Sequence, residues 1–397
     1  MPEIVNFRHG AILNSHHGIE SENGLKVRIE GLGTCGHPVE VNGVRAEMDG
    51  RRFTAEIELQ KKINEVTVSE LTPYGRFSQE VTLVWDKKSF KRYGFFIDDH
   101  SFVFTDLTKQ RPKSAFDHFY LKHLKHLHDK YGLKITLNCF FRNDHEPSFT
   151  LDQMPDIWKA EFQANADWLK FSFHSKSEFP DRPYIEASAE EYARDFDEVR
   201  NEIVRFAGEE AFTPPLVVHW ANIHPAVAME MIRRGTRTNS MSMRPKIMGG
   251  PSLADRMKGG DMKSVERKAS RGEDRSGAPE AFRLYYEREE ENTYIAHHTA
   301  YYEPNLGLYI RGASTCCCNL VPLKDIEPMI LKKLALCEEN GSDFALLASH
   351  EQYSFPYYPN YLPDHGARLE EAVRVLTERG YTCVFPNDGL LGNMSWE

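Results

Sequence analysis

The chain has 397 residues, of which 41% are hydrophobic and 12% aromatic, so it can supply the cores of two or three domains. Its formal net charge of −10 is modest and argues against a nucleic-acid-binding protein. No run approaches the roughly 18 consecutive apolar residues of a membrane span, so we expect no span and a cytoplasmic protein as the chain stands, with secretion after removal of a leader left open.

Residues 1–90 predict a small all-β domain. Short stretches of alternating apolar and polar residues are separated by turn signals such as Asn42-Gly43 and Asp49-Gly50. The stretches are residues 25–29, 39–41, 53–57, 66–68 and 81–84. We interpret this part as a β-sandwich, and its layout resembles the immunoglobulin-like modules that accompany bacterial carbohydrate-active enzymes.

Residues 91–397 predict a second domain of the α/β class. Apolar strands alternate with amphipathic helices, which is typical of a mainly parallel sheet or a barrel. The strands are expected at residues 93–97, 134–141, 169–173, 216–218, 344–348 and 382–385. Residues 241–279 are rich in Gly, Ser, Arg and Lys and predict an inserted loop. After this loop we expect an antiparallel strand pair at 284–286 and 294–296.

Two polar clusters follow apolar strands and indicate a metal site. Asp98, Asp99 and His100 end the first strand of the α/β domain, and His174 and Glu178 follow the strand at 169–173. The C-terminal ends of such strands carry the chemistry of α/β barrels. One helical turn would bring His174 and Glu178 onto one face. We therefore predict Asp99, His174 and Glu178 as ligands, with one position left open for water.

Other interpretations of these clusters remain open at this stage. An acidic pair at a strand end often caps the following helix, and His174 with Glu178 would also suit a surface ion pair. If the metal site exists, Asp98 beside the ligand Asp99 is the candidate base that removes a proton from water.

If water at such a metal site attacks a substrate, an acid is also needed to protonate the leaving group. His350 ends the apolar strand at 344–348, and imidazole titrates near neutral pH, so His350 is the candidate acid. A hydrogen-bonded core histidine would look the same in the sequence. Candidate substrate-binding residues are His219 and Trp220 at the end of the strand at 216–218, His100 beside the acidic pair, and Tyr353. Tyr353 belongs to an aromatic run that suits either sugar stacking or loop packing.

From about residue 91 onwards the chain resembles the polysaccharide deacetylases, the metal-dependent carbohydrate esterases of family 4. Residues 96–100 (Phe-Ile-Asp-Asp-His) are similar to the family's Thr-Phe-Asp-Asp-Gly motif, and residues 174–178 (His-Ser-Lys-Ser-Glu) to its His-Ser-x-x-His motif. Residues 347–350 resemble its late Leu-x-His motif with one residue added. The resemblance implies a distorted (β/α) barrel, with Asp98 as base, Asp99 as metal ligand and His350 as proton donor.

The chain also departs from this family at three points. Glu178 stands where the second metal-binding histidine is expected, His100 replaces a glycine, and the Arg-Pro-Pro-Tyr motif is not visible. A glutamate keeps a metal ligand but makes the site harder, so manganese, cobalt or nickel would compete with the expected zinc. We interpret the chain as a divergent member.

The predicted function is a metal-dependent hydrolase that removes an acetyl or other acyl group from a carbohydrate by cleaving an amide or ester bond. The ion activates water, Asp98 acts as base and His350 as acid. Its expected partner is a carbohydrate substrate, without nucleic acid, and a homo-oligomer is compatible with the sequence. Two alternatives are a non-catalytic carbohydrate-binding or scaffolding protein on a degenerate barrel, and a hydrolase of a different bond in a small amide.

Overall fold

The computed structural model describes residues 1–221, 223–239, 289–312 and 314–397. It divides into two compact units. The first comprises Met1–Phe90, Ala300–Tyr309 and Asn393–Glu397, and the second comprises Lys91–Thr299 and Ile310–Gly392. The predicted inserted loop at 241–279 and the predicted strand at 284–286 lie outside the described residues.

The N-terminal ninety residues are all β. Their strands are β1 Glu3–Ile4, β2 Ala11–Leu13, β3 Gly18–Glu20, β4 Leu25–Leu32, β5 Val39–Val41, β6 Val44–Arg45, β7 Glu47–Asp49, β8 Arg52–Leu59, β9 Ile63–Thr72 and β10 Gly75–Trp85. They form two five-stranded sheets. One has the order β1-β4-β8-β7 with β3 paired to β4, and the other has the order β2-β10-β9-β5-β6.

Alternating side chains explain why these residues form half-buried sheets. In β4 the burial alternates strictly, so that Leu25, Val27 and Ile29 are buried while the charged residues between them are exposed. Asn42 and Gly43 both adopt positive φ, as a two-residue hairpin turn requires, and they join β5 to β6. The turn signal in the sequence therefore corresponds to a hairpin.

Two later segments belong to the first unit, although the sequence pattern assigned them to the second domain. The backbone N–H of Tyr302 donates to Gly10 O at 2.8 Å, and the indole of Trp396 donates to Trp85 O at 2.8 Å. The local periodicity of a sequence carries no information on such long-range pairings, so residues 300–309 and 393–397 could not be assigned from it.

The second unit contains helices and strands in alternation. The remaining strands of the chain are β11 Arg92–His100, β12 Ile135–Phe140, β13 Leu169–Ser175, β14 Thr238–Asn239, β15 Ala300–Glu303, β16 Leu308–Arg311, β17 Cys316–Cys317, β18 Phe344–His350 and β19 Thr382–Cys383. The helices are α1 Phe102–Gln110, α2 Phe119–Tyr131, α3 Lys159–Ala164, α4 Ala189–Ala207, α5 Pro225–Arg233, α6 Glu289–His298, α7 Leu323–Glu339 and α8 His365–Glu378.

A parallel sheet forms the centre of the second unit. Its order is β13-β12-β11-β18-β17, with β19 also paired to β11, and every residue of β11 and β12 is buried. Parallel pairing places the C-terminal ends of these strands at one edge. The predicted α/β class is confirmed. The described strands form an open sheet and do not close into a barrel.

Two predicted strands of the second domain are wrong. Residues 294–296 lie in the helix α6, because the short apolar run Tyr294-Ile295-Ala296 is compatible with either structure and length did not decide between them. Residues 216–218 have no regular structure and lead into a short irregular helical turn, His219–Ala221. None of the helices in the described part of the chain is long and apolar enough to cross a membrane.

Candidate metal centre

Three buried side chains meet at the C-terminal edge of the parallel sheet. Asp99 lies near the end of β11, His174 near the end of β13, and His219 at the start of the turn after residues 216–218. Each offers one ligand atom, and these atoms lie close enough together to hold a metal ion. Three separate parts of the chain therefore supply the group.

The backbone near the end of β11 explains why two consecutive aspartates serve one site. In a regular strand Asp98 and Asp99 would point to opposite faces. Here the pairing of β11 with β12 shifts between Ile97 and His100, and Asp99 adopts a left-handed conformation with φ of +68°. Such a conformation costs a non-glycine residue about 1–2 kcal/mol. This irregularity breaks the alternation and turns the Asp99 carboxylate towards the two histidines.

Backbone carbonyls determine which ring nitrogens of the two histidines face the group. His174 Nδ1 lies 3.3 Å from Val217 O, and His219 Nε2 lies 2.9 Å from Glu178 O. A carbonyl oxygen only accepts hydrogen bonds, so these two nitrogens carry the protons in the neutral rings. His174 Nε2 and His219 Nδ1 are then left with lone pairs, as metal-ligating histidines require.

The three facing atoms form a nearly regular triangle. Asp99 Oδ1 lies 3.2 Å from His174 Nε2 and 3.5 Å from His219 Nδ1, and the two nitrogens are 3.3 Å apart. Asp99 Oδ1 is buried and accepts no hydrogen bond from the described residues. Three lone pairs at these distances repel one another unless a proton or a metal ion lies between them. The donor set therefore fits a metal ion.

The charges in this group also favour its ionised form. Burial opposes ionisation of Asp99, but His174 and His219 hold the pKa of this carboxyl well below its usual range. Burial likewise opposes protonation of His174, but the carboxylates of Asp98 and Asp99 raise the pKa of this imidazole. The two carboxylates thus stabilise a positive charge within this group, whether it is a proton on His174 or a metal ion.

The predicted base, Asp98, lies beside this group without belonging to it. Its Oδ1 accepts a hydrogen bond of 2.7 Å from Asn138 Nδ2, on the neighbouring strand β12, and lies 3.7 Å from His174 Nδ1. The carboxylate is largely buried. Asn138 leaves Asp98 Oδ2 available to accept a proton.

The predicted acid, His350, ends β18 and is paired in register with Asp98 on β11. Its Nδ1 lies 3.0 Å from Asn319 Oδ1 and 4.0 Å from Cys317 Sγ. Burial opposes protonation, but Cys317, Asp99 and Asp98 raise the pKa of His350 to about 10. The ring is therefore protonated at neutral pH, and Nε2 is the nitrogen that does not face Asn319.

Glu178 does not join the group, contrary to the predicted ligand set. No helical turn follows His174, because residues 176–178 form a bend, so the i, i+4 argument does not apply. The Glu178 carboxylate instead lies 2.7 Å from His145 Nε2, and this contact raises the pKa of His145. Only the backbone oxygen of Glu178 reaches His219. His219, which we expected to bind substrate, occupies the third corner.

The other predicted substrate-binding residues are largely withdrawn from solvent. His100 is completely buried, lies 2.9 Å from the Tyr120 hydroxyl, and has its pKa lowered to about 3 by burial. It therefore packs in the core and cannot contact a substrate. Tyr353 is buried against Tyr358, whereas Trp220 is only half-buried beside His219. His100 is therefore not a substrate-binding residue as we expected. Its burial follows from the same break in strand alternation that turns Asp99 towards the two histidines.

Several residues of the site carried no signal in the sequence. Asn138, Asn319 and Gln352 each hydrogen-bond a predicted functional side chain, but amides inside or near strands are common and unremarkable in a sequence. His219 was a visible candidate because it followed an apolar run. Its role as a third ligand depends on the turn at 219–221, where Trp220 and Ala221 have positive φ values that no pattern predicted.

Comparisons with known proteins leave the family open. No family model matches the chain, and no curated protein matches it. A chimeric titin Z1Z2 functionalized with a KLER exogenous peptide from decorin is 14% identical, covering 22% of this chain and 96% of that one at a TM-score of 0.16. A Bacteroides ovatus GH5 xyloglucanase in complex with a XXXG heptasaccharide is 12% identical, covering 95% and 100% at a TM-score of 0.23. Neither similarity supports a conclusion about fold or function.

Proposed function

We propose that the protein is a metal-dependent hydrolase that removes an acetyl or related acyl group from a carbohydrate. The observation that supports this most strongly is the triangle of Asp99, His174 and His219, whose three lone pairs face one another. A carboxylate base and a protonated imidazole lie beside that triangle, as hydrolysis of an amide or ester requires.

Zinc is the proposed ion. Zinc binds histidine nitrogen and carboxylate oxygen at about 2.0–2.2 Å in tetrahedral sites, so the edges between its ligand atoms are about 3.3–3.6 Å. The separations of 3.2, 3.3 and 3.5 Å among the three facing atoms match these edges. Asp99, His174 and His219 would hold the ion, and a site with three protein ligands is typical of catalytic rather than structural zinc. Two nitrogen ligands also make manganese a weaker competitor than cobalt or nickel.

The roles of the protein side chains follow from their positions. When bound, the ion would act as a Lewis acid that lowers the pKa of water and polarises the acyl oxygen. Asp98 accepts the proton of the attacking water through Oδ2, while Asn138 holds Oδ1. His350 donates a proton from Nε2 to the departing amine or alcohol, while Asn319 holds Nδ1. Each catalytic group thus has one atom fixed and one atom available.

We further propose that the chain is a divergent polysaccharide deacetylase, whose counterpart of the family's distorted barrel is an open sheet over the described strands. Two departures from that family's motifs have structural counterparts. His219 supplies the second ligating imidazole from a different part of the chain, so the exchange to Glu178 does not remove a ligand. Asn138 hydrogen-bonds the base Asp98 and so orients it. In the family we attribute this orientation to the Arg-Pro-Pro-Tyr motif, which is not visible in this chain. The carbohydrate substrate rests on this resemblance.

The test compares Asp98→Asn with His174→Ala on a panel of acetylated sugars and simple amides. The isosteric Asp98→Asn change should keep bound metal but lower turnover by about 10²–10⁴-fold, because general base catalysis is lost. His174→Ala should lose both. Wild-type turnover in Asp98→Asn would exclude Asp98 as the base. Stoichiometric metal without turnover of any acetylated sugar by the wild-type protein would favour the non-catalytic binding protein or a different substrate.

A further inference from the structure

The second residue after the predicted acid His350 contacts a predicted ligand. Gln352 lies in the short 3₁₀ turn Glu351–Ser354, which follows β18, and its side chain is buried. Its Nε2 donates a hydrogen bond of 2.9 Å to Asp99 Oδ2. Since a carboxylate offers only acceptors, the amide must present its NH₂ group to Asp99.

Because of this hydrogen bond, the two oxygens of Asp99 have different partners. Oδ2 is held by Gln352, whereas Oδ1 faces His174 Nε2 and His219 Nδ1. A carboxylate can bind a metal ion through one oxygen or through both. An oxygen that is already engaged in a hydrogen bond and turned away from the two histidines is poorly placed to become a second ligand atom.

The backbone around Asp99 is held by the neighbouring residue of the same turn. The Glu351 carboxylate is completely buried and accepts three backbone hydrogen bonds of 2.8 Å, from Ser101, Phe102 and Val103 at the start of α1. Asp99 itself has the unfavourable φ of +68°. Residues 351 and 352 therefore restrain the loop and the side chain of the same ligand.

We propose that Gln352 is a positioning residue that limits Asp99 to one-oxygen coordination and thereby keeps one coordination position of the ion free for water. The inference rests on the proposed function only in its use of the metal site. The Gln352 Oε1 atom is buried and has no hydrogen-bond partner among the described residues, so the amide is retained at a cost. Its contact with Asp99 is what we infer to offset that cost.

The experiment replaces Gln352 by methionine, which keeps the length of the side chain and removes the N–H donor. Zinc affinity is measured by chelator competition, and the visible absorption spectrum of the Co²⁺-substituted protein reports the coordination number. We expect zinc to bind about 10- to 100-fold more weakly, as when other outer-shell partners of a metal site are removed. We also expect weaker Co²⁺ bands, because Asp99 becomes free to bind through both oxygens and raises the coordination number.

Gln153→Met is the matched control, because the Gln153 amide donates to Ser148 O and Thr150 Oγ1 rather than to a predicted ligand. Gln352→Leu is the second variant, for use if the methionine does not fold as judged by circular dichroism. A Co²⁺ spectrum identical to that of the wild type in the folded variant would overturn the proposal. Because neither readout uses a substrate, a wild-type protein that binds metal but hydrolyses nothing would reject the proposed function without affecting this inference.

Discussion

Two pairs of buried histidines in the second unit differ in what surrounds them. His174 and His219 each turn one nitrogen to a backbone carbonyl and the other towards Asp99. His100 instead lies against the Tyr120 hydroxyl, and His365 lies between the hydroxyls of Ser349 and Ser354. All four rings are largely withdrawn from solvent, so burial alone does not distinguish a candidate site from the core.

The partners of these rings decide how they titrate. Burial lowers the pKa of both His100 and His365 to about 3, because hydroxyl groups do little to stabilise a buried imidazolium. The carboxylates next to His174 overcome the same burial and raise its pKa. A buried histidine therefore becomes a candidate ligand when its hydrogen bonds orient a lone pair towards other donors and a negative charge lies nearby.

The largest effect on metal binding should come from removing the imidazole of either His174 or His219. We expect His174→Ala and His219→Ala each to weaken zinc binding by more than about 100-fold, beyond the 10- to 100-fold typical of outer-shell changes. The zinc content after dialysis, measured by elemental analysis, should then fall from one ion per chain to none.

Glu178→Gln and His365→Gln are the controls for this comparison, and both should keep one ion per chain. The Glu178 variant also tests which residue is the third ligand, since the sequence predicted Glu178 and the structure places His219 there. If Glu178→Gln lost the ion while His219→Ala kept it, the assignment of the third ligand to His219 would be wrong.

Protonation of His365, which belongs to the second pair (His100 and His365), should affect how stability depends on pH. The folded pKa of His365 is about 3, below its usual 6.5, so its contribution to stability is fully present above pH 6.5 and is lost as the pH falls towards 3. Between pH 6 and 4 the free energy of unfolding of the wild type should fall more steeply than that of His365→Gln, by about 1.4 kcal/mol per pH unit. Urea unfolding of the metal-free proteins measures both slopes.

His126→Gln is the control for the pH experiment because this ring is exposed on α2. Its slope should equal that of the wild type. Parallel slopes for wild type and His365→Gln would mean that His365 becomes protonated in the folded state, and the contrast between the two pairs would lose its basis.

The smallest effect should come from His145, which pairs with Glu178 near the site. Both side chains are partly exposed, at 32% and 22%, so His145→Gln should change the free energy of unfolding by no more than about 1 kcal/mol. Because Glu178 raises the pKa of His145, this contribution is present at low pH and is lost as the pH rises through the folded pKa. Zinc stoichiometry should stay at one per chain, and its loss would show that this pair supports the metal centre.

The local pattern of the sequence was sufficient for part of the candidate site. Apolar runs ending in Asp98-Asp99, His174 and His350 predicted strands whose polar ends share an edge, and β11, β13 and β18 have this arrangement. The alternation in residues 1–90 likewise predicted an all-β region, and strand–helix alternation predicted the α/β class. These predictions rest on short-range periodicity, which side-chain burial imposes directly.

Tertiary structure decided which of these side chains meet. The helical turn expected after His174 is a bend, so Glu178 turns to His145, while positive φ values in the turn at 219–221 accompany the placement of His219 against Asp99. The register shift near the end of β11 sends Asp99 to the site and leaves His100 buried in the core. Such features depend on contacts between residues far apart in the chain. For that reason residue type and spacing alone could name candidate functional residues, but they assigned His219 to the substrate and Glu178 to the metal.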